Sequence, residues 1–224
     1  MKKNKILSLV SILLILVSVS NAQETNFDPE YIKVTNERAQ KIVDELEIPN
    51  QQKALQVRNL IAEQYRALSK IQEKEEQQVA VLKASNLSDQ LKESKKEKIE
   101  SDIDAATKKL HKKYLKNLNK ELNTEQVTKV KDGMTYGVVD ITYAGYQDML
   151  PQLTKEEKKY IYKNLVEARE LAMDAGSSKE KHEWFGKYKG RINNYLSKRG
   201  YDLNAESAAW HKRIEAKKEA EGHQ

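Results

Sequence analysis

Leu82-Lys83-Ala84-Ser85-Asn86-Leu87-Ser88-Asp89-Gln90-Leu91 decides how this chain is read. Ser85-Asn86 is a turn signal, and Ser88 is a residue type that caps a helix from its N-terminal side. On the near side, residues 50 to 85 carry an apolar stripe of Val57, Ile61, Tyr65, Leu68, Ile71, Val79 and Leu82, mostly at three- and four-residue steps. On the far side, residues 89 to 122 carry Leu91, Ile99, Ile103, Ala106, Leu110, Tyr114, Leu118 and Leu122. Such spacing keeps apolar groups on one face of an α-helix. Two helices of this length, each on the order of 50 Å, joined by a short turn form an antiparallel hairpin. Residues 73 to 98, around the turn, hold few apolar groups and should project into solvent.

Outward from the hairpin, the pattern stays helical. Asp28-Pro29 places an N-cap before a proline at the first helical position, so a helix begins there and runs to about Glu47. Pro49-Asn50 breaks it and Asn50 caps the next. Leu122-Asn123-Thr124-Glu125-Gln126 and Leu153-Thr154-Lys155-Glu156-Glu157 have the shape of capping boxes. Helices follow over about 155–175, from Ser177 to Gly200, and over about 204–220. Between them, Gly133, Gly137, Gly145 and Pro151 punctuate residues 132 to 152, which reads as a non-helical link with one short extended piece at Val138–Tyr143. The fold class is therefore all-α, with a long helical hairpin region at 28–132 joined to an aromatic-rich helical bundle at 133–221.

The N-terminus reads as an address. Lys2, Lys3 and Lys5 precede an apolar run from Ile6 to Val19, and Ser20-Asn21-Ala22 supplies small residues for cleavage. That is the secretory pattern, so residues 1–22 are expected to be a signal peptide, and no membrane span is expected after it is removed. The chain carries 40 Lys and Arg against 34 Asp and Glu, a net of +6. Losing Lys2, Lys3 and Lys5, with no acidic residue among the first 22, lowers the net to +3. A nucleic-acid partner is disfavoured on that charge and in an exported protein, periplasmic or extracellular. There is no cysteine, so the fold holds itself by burial without disulfides.

The chemistry-bearing residues gather late in the chain. Of the 15 Phe, Trp and Tyr, 11 lie between Tyr136 and Trp210, and seven of the eight glycines lie between Gly133 and Gly200. On a helix, Trp184, Tyr188, Ile192 and Tyr195 share a face, with Lys187, Arg191 and Asn194 beside it. Gly186 and Gly190 leave a flat strip where a neighbouring helix or a ligand can approach. As core, these aromatics pack a bundle. As a surface, an aromatic platform edged by guanidinium and amide groups suits a sugar ring, which lays its CH face on an aromatic and its hydroxyls on planar polar groups. Tyr136 and Tyr143 in the link add to that set. The candidate ligand residues are thus Tyr136, Tyr143, Trp184, Tyr188, Arg191 and Asn194. His111, His182, His211 and His223 have no metal-like spacing, and no nucleophile elbow, phosphate loop or dinucleotide fingerprint is present. No metal, cofactor or enzymatic activity is expected.

Three stretches carry a family resemblance: Tyr31–Ala39, Lys131–Val138, and Met173–His182 running on through Trp184–Tyr195. They resemble domain-of-unknown-function family 3826, over about residues 30 to 210. The resemblance implies an exported, sugar-binding protein of polysaccharide-degrading Gram-negative bacteria. It brings no catalytic or ligand residues to carry over. The helix starts at 122–126 and 153–157 are also similar to those of periplasmic helical chaperones with an LTxxQ motif. That likeness implies a protein partner met through the hairpin, although a glycine- and aromatic-rich second half is foreign to such chaperones.

Overall fold

The computed structural model describes residues 27–221; residues 1–22, expected to be a signal peptide, lie outside them. Among the described residues, eight helices follow one another: α1 Pro29–Asp44, α2 Gln51–Ala84, α3 Asp89–Glu121, α4 Thr124–Met134, α5 Val138–Met149, α6 Lys155–Ala172, α7 Ser178–Lys198 and α8 Leu203–Glu221. The described residues contain no strand, and the protein is all-α.

The caps stand where the sequence places them. Asn50 accepts a hydrogen bond from the Lys53 amide and Ser88 from the Leu91 amide. Asn123 with Gln126 and Thr154 with Glu157 form reciprocal capping boxes, and so do Ser177 and Glu180. Each satisfies amide groups that a helix start otherwise leaves without partners.

One expectation is corrected. The link at 132–152 is largely helix, and the extended piece at Val138–Tyr143 is the first half of α5. Val139, Tyr146 and Leu150 are buried, with Tyr143 half-buried between them. Steps of four, three and four put them on one helical face against α6. This packing outweighs the strand preference of a β-branched run such as Val138-Val139. The glycines act as punctuation around the helix. Gly137 caps it from a left-handed conformation, φ 66°, and Pro151 follows its end.

Two apolar clusters hold the eight helices. The first joins Ala39, Ile42 and Val43 of α1, Val57 and Ile61 of α2, Tyr114 and Leu118 of α3, and Val127, Val130 and Met134 of α4. The second joins α5, α6 and α7 through Val139, Tyr146, Ile161, Leu165, Phe185, Tyr188, Ile192 and Leu196. Met173, just past α6, inserts into the first cluster. Each buried Leu, Ile or Phe contributes roughly 1.5–3 kcal/mol.

Polar ties reinforce that junction. Arg169 of α6, itself buried, reaches Asp132 of α4 at 2.8 Å, and Lys131 reaches Glu170 at 2.7 Å. His111 of α3 lies 2.7 Å from Asp174. The ammonium of Lys181 donates to the carbonyls of Ala172 and Met173 at 2.9 and 3.4 Å, closing the C-terminus of α6 from α7.

Candidate functional site

A cleft of about 970 Å³ opens where the two clusters meet. One wall is α1, which presents Tyr31, Arg38, Lys41 and Glu45. Tyr65, Leu68 and Ser69 of α2 form the floor. The opposite wall is the α4–α5 corner, with Asp132, Gly133, Tyr136 and Asp140, and the α6–α7 corner from Ala175 to Ser178, with Lys181 behind it.

Local conformation explains the α4–α5 wall. Tyr136 and Gly137 are both left-handed, with φ of 61° and 66°. Glycine adopts this region freely. A tyrosine there costs on the order of 1–2 kcal/mol, so the surroundings must hold it. They do: Thr135 is fully buried, its hydroxyl donates to the Lys131 carbonyl at 2.9 Å, and the Gly137 amide donates to the Asp132 carbonyl at 2.9 Å. The turn thereby throws the Tyr136 ring outward, where it is half exposed and stacks on His182 with ring centres 6.0 Å apart. Gly133 is required for another reason. A Cβ there would lie 2.8 Å from Ile42 Cγ1, so α4 can approach α1 only without a side chain at this position.

Electrostatics ties the cleft's residues together. Burial, with the field of Tyr136 adding to it and that of Arg38 opposing it, pushes the Tyr65 hydroxyl up to about 12. Burial pulls Lys181 down to about 8; Asp174 and Glu180 act against that pull, and Arg38 adds to it. Tyr65, Tyr136, Arg38 and Lys181 therefore share one electrostatic neighbourhood. Asp132 is not free for chemistry, because Arg169 holds its carboxylate.

A second groove, about 540 Å³, runs between the hairpin and α7, lined by Gln72, Glu75, Asp104, Lys108, Trp184 and Lys187 among others. The two depressions meet at Gly176, against which the Gln72 side chain is pressed. A Cβ on Gly176 would lie 3.1 Å from Gln72 Cβ and still closer to its amide.

The six residues expected to bind a ligand do not form one site. Tyr136 stands on the rim of the large cleft. Trp184 is in the second groove, half-buried, with Lys187 Nζ 5.1 Å from its ring centre. Tyr143 is half-buried at the edge of the second cluster, edge-on to Tyr162 at 5.2 Å. Tyr188 is core, 7% exposed, with the Arg191 guanidinium over its ring. Arg191 and Asn194 line a shallow depression beside the stacked rings of Tyr160 and Tyr195. The buried face of α7 is centred on Phe185, Tyr188, Ile192 and Leu196, which leaves Trp184 and Tyr195 on its flanks. Gly186 and Gly190 admit no neighbouring helix: a Cβ at either would meet no atom within 4 Å.

Sequence reasoning missed Tyr31, Arg38, Tyr65 and Lys181. The signal for three of them was present. Tyr31 and Arg38 are seven apart on one helix face and fall within the stretch 31–39; Lys181 falls within 173–182. Residues from all three stretches that carry the family resemblance line this one cleft, although the run Trp184–Tyr195 lies elsewhere.

Comparison with known proteins agrees with that resemblance. No curated protein matches the chain. A family described as protein of unknown function, DUF3826, matches residues 32–216, which is most of the chain, and the protein belongs to that family.

Proposed function

We propose that this is an exported, non-catalytic protein that binds a carbohydrate, a fragment of a polysaccharide, in the cleft between the two clusters. The observation that carries the reading is the cleft's lining. Tyr31, Tyr65 and Tyr136 face a space large enough for several sugar units, and Arg38, Asp140, Ser69 and Ser177 lie among them. Aromatic faces beside a few polar groups are what a saccharide needs to bury its ring and satisfy its hydroxyls. Of the carboxylates lining the cleft, Asp132 is committed to Arg169 and so is withheld from acid or base work. Export rests on the N-terminal pattern, and protein recovered outside the cytoplasm should begin at Gln23.

The test is a glycan array or affinity gel with plant and algal polysaccharides. Binding is expected, and Tyr136→Ala should weaken it about tenfold or more. Trp184→Ala, in the second groove, should weaken it less. Absence of binding to every glycan, or binding indifferent to Tyr136→Ala, sinks the reading. The chaperone-like alternative draws on the exposed Val81 and Leu91 of the hairpin's outer part. It requires the full chain to suppress aggregation of a client protein, and to lose that ability when both are replaced by Ser.

A further inference from the structure

Arg38 and Lys41 stand apart among the cations of the cleft. Four cations line the space: Arg38, Lys41, Lys129 and Lys181. Lys129 has Glu125 at 3.6 Å, and Lys181 is turned onto the carbonyls of Ala172 and Met173. Arg38 and Lys41 make no hydrogen bond or ion pair with any described residue. Of the lining carboxylates, Asp132 is held by Arg169, which leaves Glu45 and Asp140.

Arg38 acts on Lys181 as a like charge, a smaller influence there than burial or the opposing fields of Asp174 and Glu180. Arg38 also acts on the Tyr65 hydroxyl, which has no hydrogen-bond partner among the described residues. A neutral sugar leaves the exposed Arg38 guanidinium without a charged partner. A carboxylate supplies one, and a guanidinium offers two parallel N–H donors that match the two carboxylate oxygens.

We infer that the cleft is built for an acidic sugar, with Arg38 receiving the carboxylate of a uronic acid residue while Tyr136 and Tyr65 face its ring. This rests on the carbohydrate reading and narrows it to a chemical class. Lys41, three residues on and on the same wall, extends the positive strip toward a second acidic unit.

Titration calorimetry of the full purified chain tests it, with trimers of galacturonic acid and of mannuronic acid and the methyl esters of both. At least one free acid should bind about tenfold to a hundredfold more tightly than its own ester, and the gap should narrow as salt is raised. Arg38→Gln should bring the acid down to the affinity of the ester, with Arg38→Lys in between and the melting temperature of both variants near that of the parent. Esters that bind as well as acids, or a gap that survives Arg38→Gln, overturn the acidic-sugar inference and leave carbohydrate binding standing. If neither acids nor esters bind and the neutral glycans of an array are also ignored, both readings fall together.

Discussion

Near its root the α2–α3 hairpin buries Val57, Ile61, Ala62 and Leu68 from one helix and Tyr114 and Leu118 from the other. Farther out, the same two helices bury only Leu82 among the described residues, while Val81 and Leu91 stand in solvent. The charges change with the burial. The outer part carries pairs within one helix, such as Lys96–Glu100 at 3.4 Å and Lys98–Asp102 at 3.2 Å. At the root, His111 reaches across to Asp174. Local pairs on an exposed helix contribute a few tenths of a kcal/mol each, against kcal/mol for a buried side chain. Helix identity is thus a local matter along the whole hairpin, whereas its placement in space is decided at the root.

Substitutions should expose that asymmetry. Ile61→Ala, at a fully buried position, should cost about 2–5 kcal/mol, read from chemical denaturation. A cost under about 1 kcal/mol would mean that the root is no better packed than the tip. Gly133→Ala forces Ile42 to shift within the same cluster and should cost about 1–3 kcal/mol. An unchanged denaturation midpoint would show that α1 and α4 can part freely.

The His111–Asp174 contact should make the root sensitive to pH. The carboxylate of Asp174 raises the imidazole above its ordinary value of 6.5, with burial opposing and the fields of Asp174 and Glu170 adding to the rise. A raised histidine stabilises the fold fully below the unfolded value and loses that contribution as pH climbs through the folded one. The parent chain should therefore lose some stability as pH rises above 6.5 that His111→Gln does not lose, as melting curves at each pH would reveal. Smallest of all, Val81→Ala at the outer hairpin should change stability by no more than about 0.5 kcal/mol. A larger loss would reveal packing there that its 73% exposure denies.

Much of this architecture was legible beforehand. Asn50, Ser88, Asn123, Thr154 and Ser177 bond the amides that their side-chain chemistry suits, because capping needs only neighbours in sequence. The α5 helix was not legible. Its β-branched start and its glycines suggest a link, and only the face of α6 supplies the partner that makes it a helix. The site was harder still. Tyr188 and Trp184 share a helix face by spacing, yet spacing cannot say that α6 covers one and leaves the other at an edge. The cleft gathers residues more than a hundred positions apart, from Arg38 to Lys181, and nothing local in the chain announces such a meeting.

The floor of the cleft has one further consequence. Tyr65 and Leu68 belong to the same helix as the outer arm, and one turn on Gln72 presses on Gly176 and donates to Glu180 at 3.4 Å. From Gln72 to Ala84 the helix extends about 18 Å. A tilt of about ten degrees at that contact would sweep the turn through roughly 3 Å. The floor of the cleft and the tip belong to one rod, so a small adjustment of the floor would arrive magnified at the far end.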